Sequence, residues 1–125
     1  MGRRSGPLAP GIAFVTGGAR GLGNAIAVSF ARDGAKGVVI VDINDEETMN
    51  AGKKAVEDEG AECICIRADV TKEEDVQNAV RQAVEKFGRI DYAANFAGIG
   101  GPLAAFVKDM PVDEWIKTLN VNTTG

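Results

Sequence analysis

The chain has 125 residues, 45% hydrophobic and 26% charged, the range of one globular domain rather than of a fibrous, disulfide-rich or disordered protein. Fourteen Lys and Arg stand against eighteen Asp and Glu, a net charge of −4, so no basic excess is present to neutralise a nucleic acid or to hold an anionic membrane. There is no histidine, which removes histidine-activated nucleophiles and the usual zinc sites, and no apolar run approaches the ~20 residues of a bilayer span.

Residues 1–10 read as a flexible arm. Arg3 and Arg4 have no apolar stretch behind them, and Gly6 stands where a myristoylation signal needs a hydroxyl, so a cytoplasmic protein without signal peptide or lipid anchor is expected. Ile12–Val15 is the first strand-like run. The turn after it, Thr16-Gly17-Gly18-Ala19-Arg20-Gly21-Leu22-Gly23, places glycines where a strand passes into a helix starting near Gly21. Glycine allows φ > 0 there and lets backbone N–H groups approach a pyrophosphate, which also gains from the helix dipole. Tight strand–helix packing favours glycine too, so the turn alone is a weak signal. It gains weight from Asp42, nineteen residues past Gly23 at the end of the second run Val38–Val41, where a carboxylate can accept both hydroxyls of an adenine ribose. The competing reading of Asp42 is a strand-end turn residue.

Asn44-Asp45-Glu46-Glu47 opens a second helix with a cap and a negative first turn, running to about Gly60. Cys63–Ile66 forms the third strand; Cys63 and Cys65 would share one face with Cα atoms roughly 6.7 Å apart, poor for a mutual disulfide, and read as small core residues. Thr71-Lys72-Glu73-Glu74 has the form of a capping box and predicts a helix start near Thr71. Val76, Ala79, Val80, Ala83, Val84 and Phe87 then recur at spacings of three and four along a helix of about 17 residues. Ile90–Ala94 is the fourth strand, followed by a glycine-rich loop and a final helix with Pro111 at its first position. Runs apolar on both faces, alternating with amphipathic helices, predict an α/β fold with a parallel sheet covered on each side, one domain over residues 11–125.

Thr-Gly-x-x-x-Gly-x-Gly at 16–23, Asp69-Val70, Asn95-Phe96-Ala97-Gly98 and Val121-Asn122 together resemble the classical short-chain dehydrogenases/reductases, in order and spacing over residues 11–125. The resemblance implies a Rossmann-type doubly wound parallel sheet, βαβαβαβα with strand order 3-2-1-4, incomplete beside a typical family member. It implies that Gly17, Gly21, Leu22 and Gly23 line the pyrophosphate and that Asp69 and Val70 meet the adenine. Asn95, Ala97 and Gly98 would sit beside the adenosine ribose, with Asn95 also bracing the sheet. Asn122 matches the helix asparagine whose backbone carbonyl holds a water in the family's proton relay. Phe96 departs from the usual Asn-Asn-Ala-Gly and removes one amide.

Asp42 would repel the 2′-phosphate of NADP while binding the diol of NAD, and Ile43 puts no basic side chain directly after it, so NAD is the expected cofactor. Arg20 is the group that could reach a 2′-phosphate, which keeps NADP as the alternative. The family's Tyr-x-x-x-Lys pair is not among these residues: Tyr92 is followed four positions later by Phe96, and Ser5 and Ser29 are not at the catalytic serine position. The chain is therefore expected to be the cofactor-binding, N-terminal part of an NAD(P)-dependent oxidoreductase for a small alcohol or ketone, inactive by itself. The full-length parent is expected to be a homo-oligomer, with Trp115, Ile116 and Leu119 on one side of the final helix. The alternative is a non-catalytic nucleotide-binding or interaction module. An S-adenosylmethionine methyltransferase fits the 16–23 spacing and Asn95-x-Ala-Gly less well.

Overall fold

The computed structural model describes residues 10–97. Gly98, Pro111, Trp115, Asn122 and the predicted final helix lie outside the described residues, as does most of the N-terminal arm. Four strands, β1 (Ile12–Thr16), β2 (Gly37–Asp42), β3 (Glu62–Arg67) and β4 (Tyr92–Asn95), alternate with three helices, α1 (Gly21–Arg32), α2 (Glu46–Glu57) and α3 (Glu73–Phe87). All pairings are parallel and the order is β3-β2-β1-β4, as the sequence predicts.

The period-two alternation of each strand sends side chains to two separate cores. Ala13, Val15, Val38, Ile40 and Cys63 pack with Ala27 and Ala31 of α1 and with Met49 and Val56 of α2. Ile12, Phe14, Val39, Val41 and Ile66 pack on the other face with Ala79 and Ala83 of α3. This is why β1 and β2 read as unbroken apolar runs: neither face meets water. Tyr92 stacks on Phe30 with ring centroids 5.5 Å apart, joining β4 to α1. Cys63 is buried and Cys65 half-buried, both as free thiols; a hydrogen bond to Cys65 and burial push the Cys63 thiol up.

Three boundaries differ from the sequence expectation by two residues or more: α2 ends at Glu57 rather than about Gly60, and two element starts move. α3 starts at Glu73 rather than Thr71, because the Thr71 hydroxyl and amide both donate to Asp69 Oδ1 at 2.6 and 2.9 Å and so do not cap the helix. Its reciprocal contact is made instead by Asp75, whose carboxylate accepts from the Asp69 amide at 2.9 Å. β4 starts at Tyr92 rather than Ile90, because Asp91 is occupied in pinning the entry of β1: its Oδ2 accepts from Ile12 N at 2.8 Å while its own amide donates to Ile12 O at 2.8 Å.

The Asp91 bond has a pH signature. The Ile12 amide, and secondarily Arg89, hold the Asp91 carboxyl below its ordinary value of 3.8. A carboxylate depressed in the folded state stabilises the fold fully above that ordinary value, and the contribution is lost as pH falls through the folded one. Asp45 and Asp69, depressed by hydrogen bonds from Thr48 and Thr71, act with the same sign. The melting temperature is therefore expected to drop below about pH 3.8. In Asp91→Asn that acid slope should be shallower, with a lower plateau at neutral pH; thermal melts from pH 7 to pH 2.5 check it, and an unchanged slope would remove Asp91 from the account.

Candidate functional site: a crevice at the strand ends

The C-terminal ends of the strands bring Thr16, Asp42, the Ala68–Asp69 loop and Asn95 to one edge of the sheet. β1 lies between β2 and β4, and the helices leaving β1 and β3 cover opposite faces. That is the switch point of a doubly wound sheet, where a crevice opens outside the strand ends.

The turn from β1 to α1 lines this crevice. Gly17 has φ +68, its amide donates to Val41 O at 2.8 Å, and a Cβ on it would meet the backbone of Phe96 and Ala97. A Cβ on Gly23 would lie 2.0 Å from the Gly17 carbonyl oxygen, so glycine is what lets α1 close onto the turn. Gly21, with φ +60, faces open space: among the described residues nothing stands within 4 Å of where its Cβ would be. α1 also starts differently from its neighbours. α2 is capped by Asp45, which accepts from Thr48 N at 2.7 Å, and carries Glu46 and Glu47 in its first turn; α3 carries Glu73, Glu74 and Asp75. α1 begins at Arg20 with no side-chain cap and no acid in its first turn. Its own first turn therefore does nothing among the described residues to offset the positive end of its dipole, the kind of helix start that suits an anion.

Asp42 stands beside it. Oδ2 accepts from the Ala19 amide at 3.0 Å, and Oδ1 accepts from the Ile43 amide at 2.7 Å and from Asn44 Nδ2 at 2.8 Å. Three donors thus fix the carboxylate, which remains half-buried at the mouth. Leu22 in the first turn of α1 and Ile43 directly after Asp42 are apolar side chains with 68% and 56% of their surface exposed. Arg20 is exposed. Beyond β3, hydrogen bonds from Thr71 hold the Asp69 carboxyl below its usual range, and Val70 next to it is half-buried. At the far side Asn95 ends β4 opposite Thr16, Phe96 N donates to Thr16 O at 3.0 Å, and Ala97 N donates to Thr16 Oγ1 at 3.3 Å. Phe96 thus keeps the backbone contacts of its motif without a second amide side chain.

Of the sequence-predicted residues, Gly17, Arg20, Gly21, Leu22, Gly23, Asp42, Ile43, Asp69, Val70, Asn95 and Ala97 fall along this one edge; Gly98 and Asn122 lie outside the described residues. From Asp69 to Asn95 the edge crosses three strand spacings, about 14 Å, so a ligand touching both ends must be elongated. Open space at Gly21, a helix start with no side-chain cap and no acid in its first turn, and a fixed carboxylate fit a dinucleotide. Tyr92 does not belong here: its hydroxyl donates to Pro10 O at 3.3 Å at the opposite end of the sheet. No cluster of three metal-ligating side chains occurs among the described residues, and no helix there is long and apolar enough to cross a membrane.

Sequence reasoning missed Asn24. Its Nδ2 donates to Gly18 O at 2.9 Å and to Gly52 O at 3.2 Å, linking the turn to α2. The available signal was Gly52, a helix-interior glycine that costs about 1 kcal/mol against alanine unless a close approach requires it.

Residues 11–125 match the short chain dehydrogenase family. Short-chain dehydrogenase fogB of Aspergillus ruber (strain CBS 135680) is 40% identical over 126 residues, covering 92% of this chain and 43% of that protein. Among solved structures, an NAD+-bound xylitol dehydrogenase superposes with a TM-score of 0.84 at 34% identity, over 90% of this chain and 42% of the other. Carveol dehydrogenase from Mycobacterium avium in complex with NAD gives a TM-score of 0.85 at 27% identity, over 96% and 47%. The chain spans less than half the length of these relatives.

Proposed function

Because the chain belongs to the short-chain dehydrogenase family, a family of oxidoreductases, we propose that residues 11–125 form the NAD-binding domain of an enzyme transferring hydride between a nicotinamide dinucleotide and a small alcohol or ketone. The observation that carries this is Asp42, a carboxylate fixed by three donors beside a helix start that has no side-chain cap and no acid in its first turn. Bound in the crevice, the dinucleotide would supply the hydride donor or acceptor.

The chain's own residues bind and orient it. The N–H groups of residues 20–23 at the start of α1 would take the pyrophosphate, with Gly17 and Gly23 letting the turn and helix close into shape, Gly21 leaving the room and Leu22 lying along it. Asp42 would accept the ribose hydroxyls, and Asp69 with Val70 would border the adenine. Asn95 and Ala97, continued by Gly98, would form the wall on the β4 side, and the Asn122 carbonyl would serve the proton relay. A 2′-phosphate would meet the Asp42 carboxylate, with Ile43 adding no positive charge, so NAD is favoured over NADP.

Titration of the full chain by NADH fluorescence tests this. NADH should bind, ADP-ribose should compete for the same site, and NADPH should bind at least about 10-fold more weakly, the cost of one close like-charge pair near a surface. Tighter NADPH binding would reverse the cofactor assignment, and no binding of either would end the dinucleotide proposal.

A further inference from the structure

Gly18 and Ala19 share one peptide plane, and that plane is held at both ends. Its carbonyl, Gly18 O, accepts from Asn24 Nδ2 of α1 at 2.9 Å. Its amide, Ala19 N, donates to Asp42 Oδ2 of β2 at 3.0 Å. Because the peptide is planar, rotating one end rotates the other, and glycine at position 18 has no Cβ to resist a flip. The second proton of the Asn24 amide goes to Gly52 O of α2 at 3.2 Å. Glycine at 52 is what allows that approach, since a Cβ there would lie 2.4 Å from Ala19 O. Asn24 thus fixes the peptide on which the aim of Asp42 depends.

We propose that Asn24 is a positioning residue for cofactor selection: by holding the Gly18–Ala19 peptide against Gly52 it keeps Asp42 oriented toward the ribose. This rests on the dinucleotide assignment above. Without the Asn24 amide, the Gly18 carbonyl is released, the Ala19–Asp42 bond loosens, and Asp42 loses one of the three donors that fix it. The ribose diol is then met less well and a 2′-phosphate repelled less strongly.

The test uses the full chain with Asn24→Ala and, as a stronger version, Asn24→Asp, which brings a negative charge against two carbonyl oxygens. Two readouts are needed. The first is amide exchange at Ala19 without ligand, expected to be protected in the native chain and to exchange about 10-fold or more faster in Asn24→Ala. The second is the ratio of NADPH to NADH dissociation constants, expected to fall roughly 5-fold. A purely structural loss lowers the folded fraction and weakens both ligands equally, so it leaves this ratio unchanged. If Asn24→Asp does not fold, Asn24→Ala alone decides. Unchanged Ala19 exchange and an unchanged ratio overturn the proposal, as does a ratio that stays constant while both affinities fall. If the native chain binds neither dinucleotide, the underlying assignment fails and the selection role with it, and the Ala19 exchange result still shows separately whether the clamp exists.

Discussion

Gly23→Ala is expected to abolish NADH binding over any practical titration range and to lower stability by about 3 kcal/mol, the upper end of overpacking costs. A Cβ at 23 would lie 2.0 Å from the Gly17 carbonyl oxygen, and the Gly17 backbone has no room to yield. Its amide is bonded to Val41 O, its φ is +68, and Phe96 and Ala97 stand behind it. Either α1 moves out or the turn deforms, and both spoil the alignment of the first N–H groups. The melting temperature should fall by roughly 15 °C for a domain of this size. Gly21→Ala is the informative partner. Its Cβ meets nothing among the described residues but projects into the open space beside the helix start, at φ +60, where an L residue costs about 1 kcal/mol. It should lose NADH affinity while keeping most of the stability. Paired calorimetric melts and fluorescence titrations check both; equal effects of the two substitutions on folding and on binding would contradict the assignment of that space to a ligand.

Asp42→Ala is expected to weaken NADH about 100-fold and to bring NADPH close to it, so that the two cofactors bind within a few-fold of each other. The substitution removes the acceptor for the ribose hydroxyls and the charge that opposes a 2′-phosphate. It also strands the Ala19 amide, an unpaired donor costing about 1–3 kcal/mol where it is shielded from water. The expected result is a less stable and less selective protein. Measuring both dissociation constants by competition with ADP-ribose, alongside urea unfolding, separates the two effects; a variant that keeps full preference for NADH would show that selection resides elsewhere.

The strands and the first two helix starts were legible in the sequence because their causes are local. β1 and β2 are apolar on both faces since both are covered, and the Asp45 side chain caps α2 three residues from its own position. The glycine turn and Asp42 were legible as separate features for the same reason. Their connection was not. The Ala19 amide finds Asp42 23 residues away and Asn24 finds Gly52 28 residues away, contacts that only the assembled sheet creates. The start of α3 failed differently: the Thr71 hydroxyl had two partners in reach, and donating to the carboxylate of Asp69, two residues back, won over accepting from a helix amide as a capping box requires. An ionised acceptor makes the stronger bond, and spacing alone does not reveal such competition.

β1 is the strand to which everything else is added, and its two neighbours reach it after very different lengths of chain. Ile12 pairs with Gly37 after a single helix, whereas its bond to Asp91 spans 79 residues. The entropy of closing a loop must be met before such a contact forms, so distant pairings come late in folding. As the chain leaves the ribosome, the glycine turn, α1 and Asp42 can assemble while β4 is still being made. The two walls of the crevice therefore differ in age: the side of the glycine turn and Asp42 is built early from neighbouring sequence, and the Asn95 side closes later.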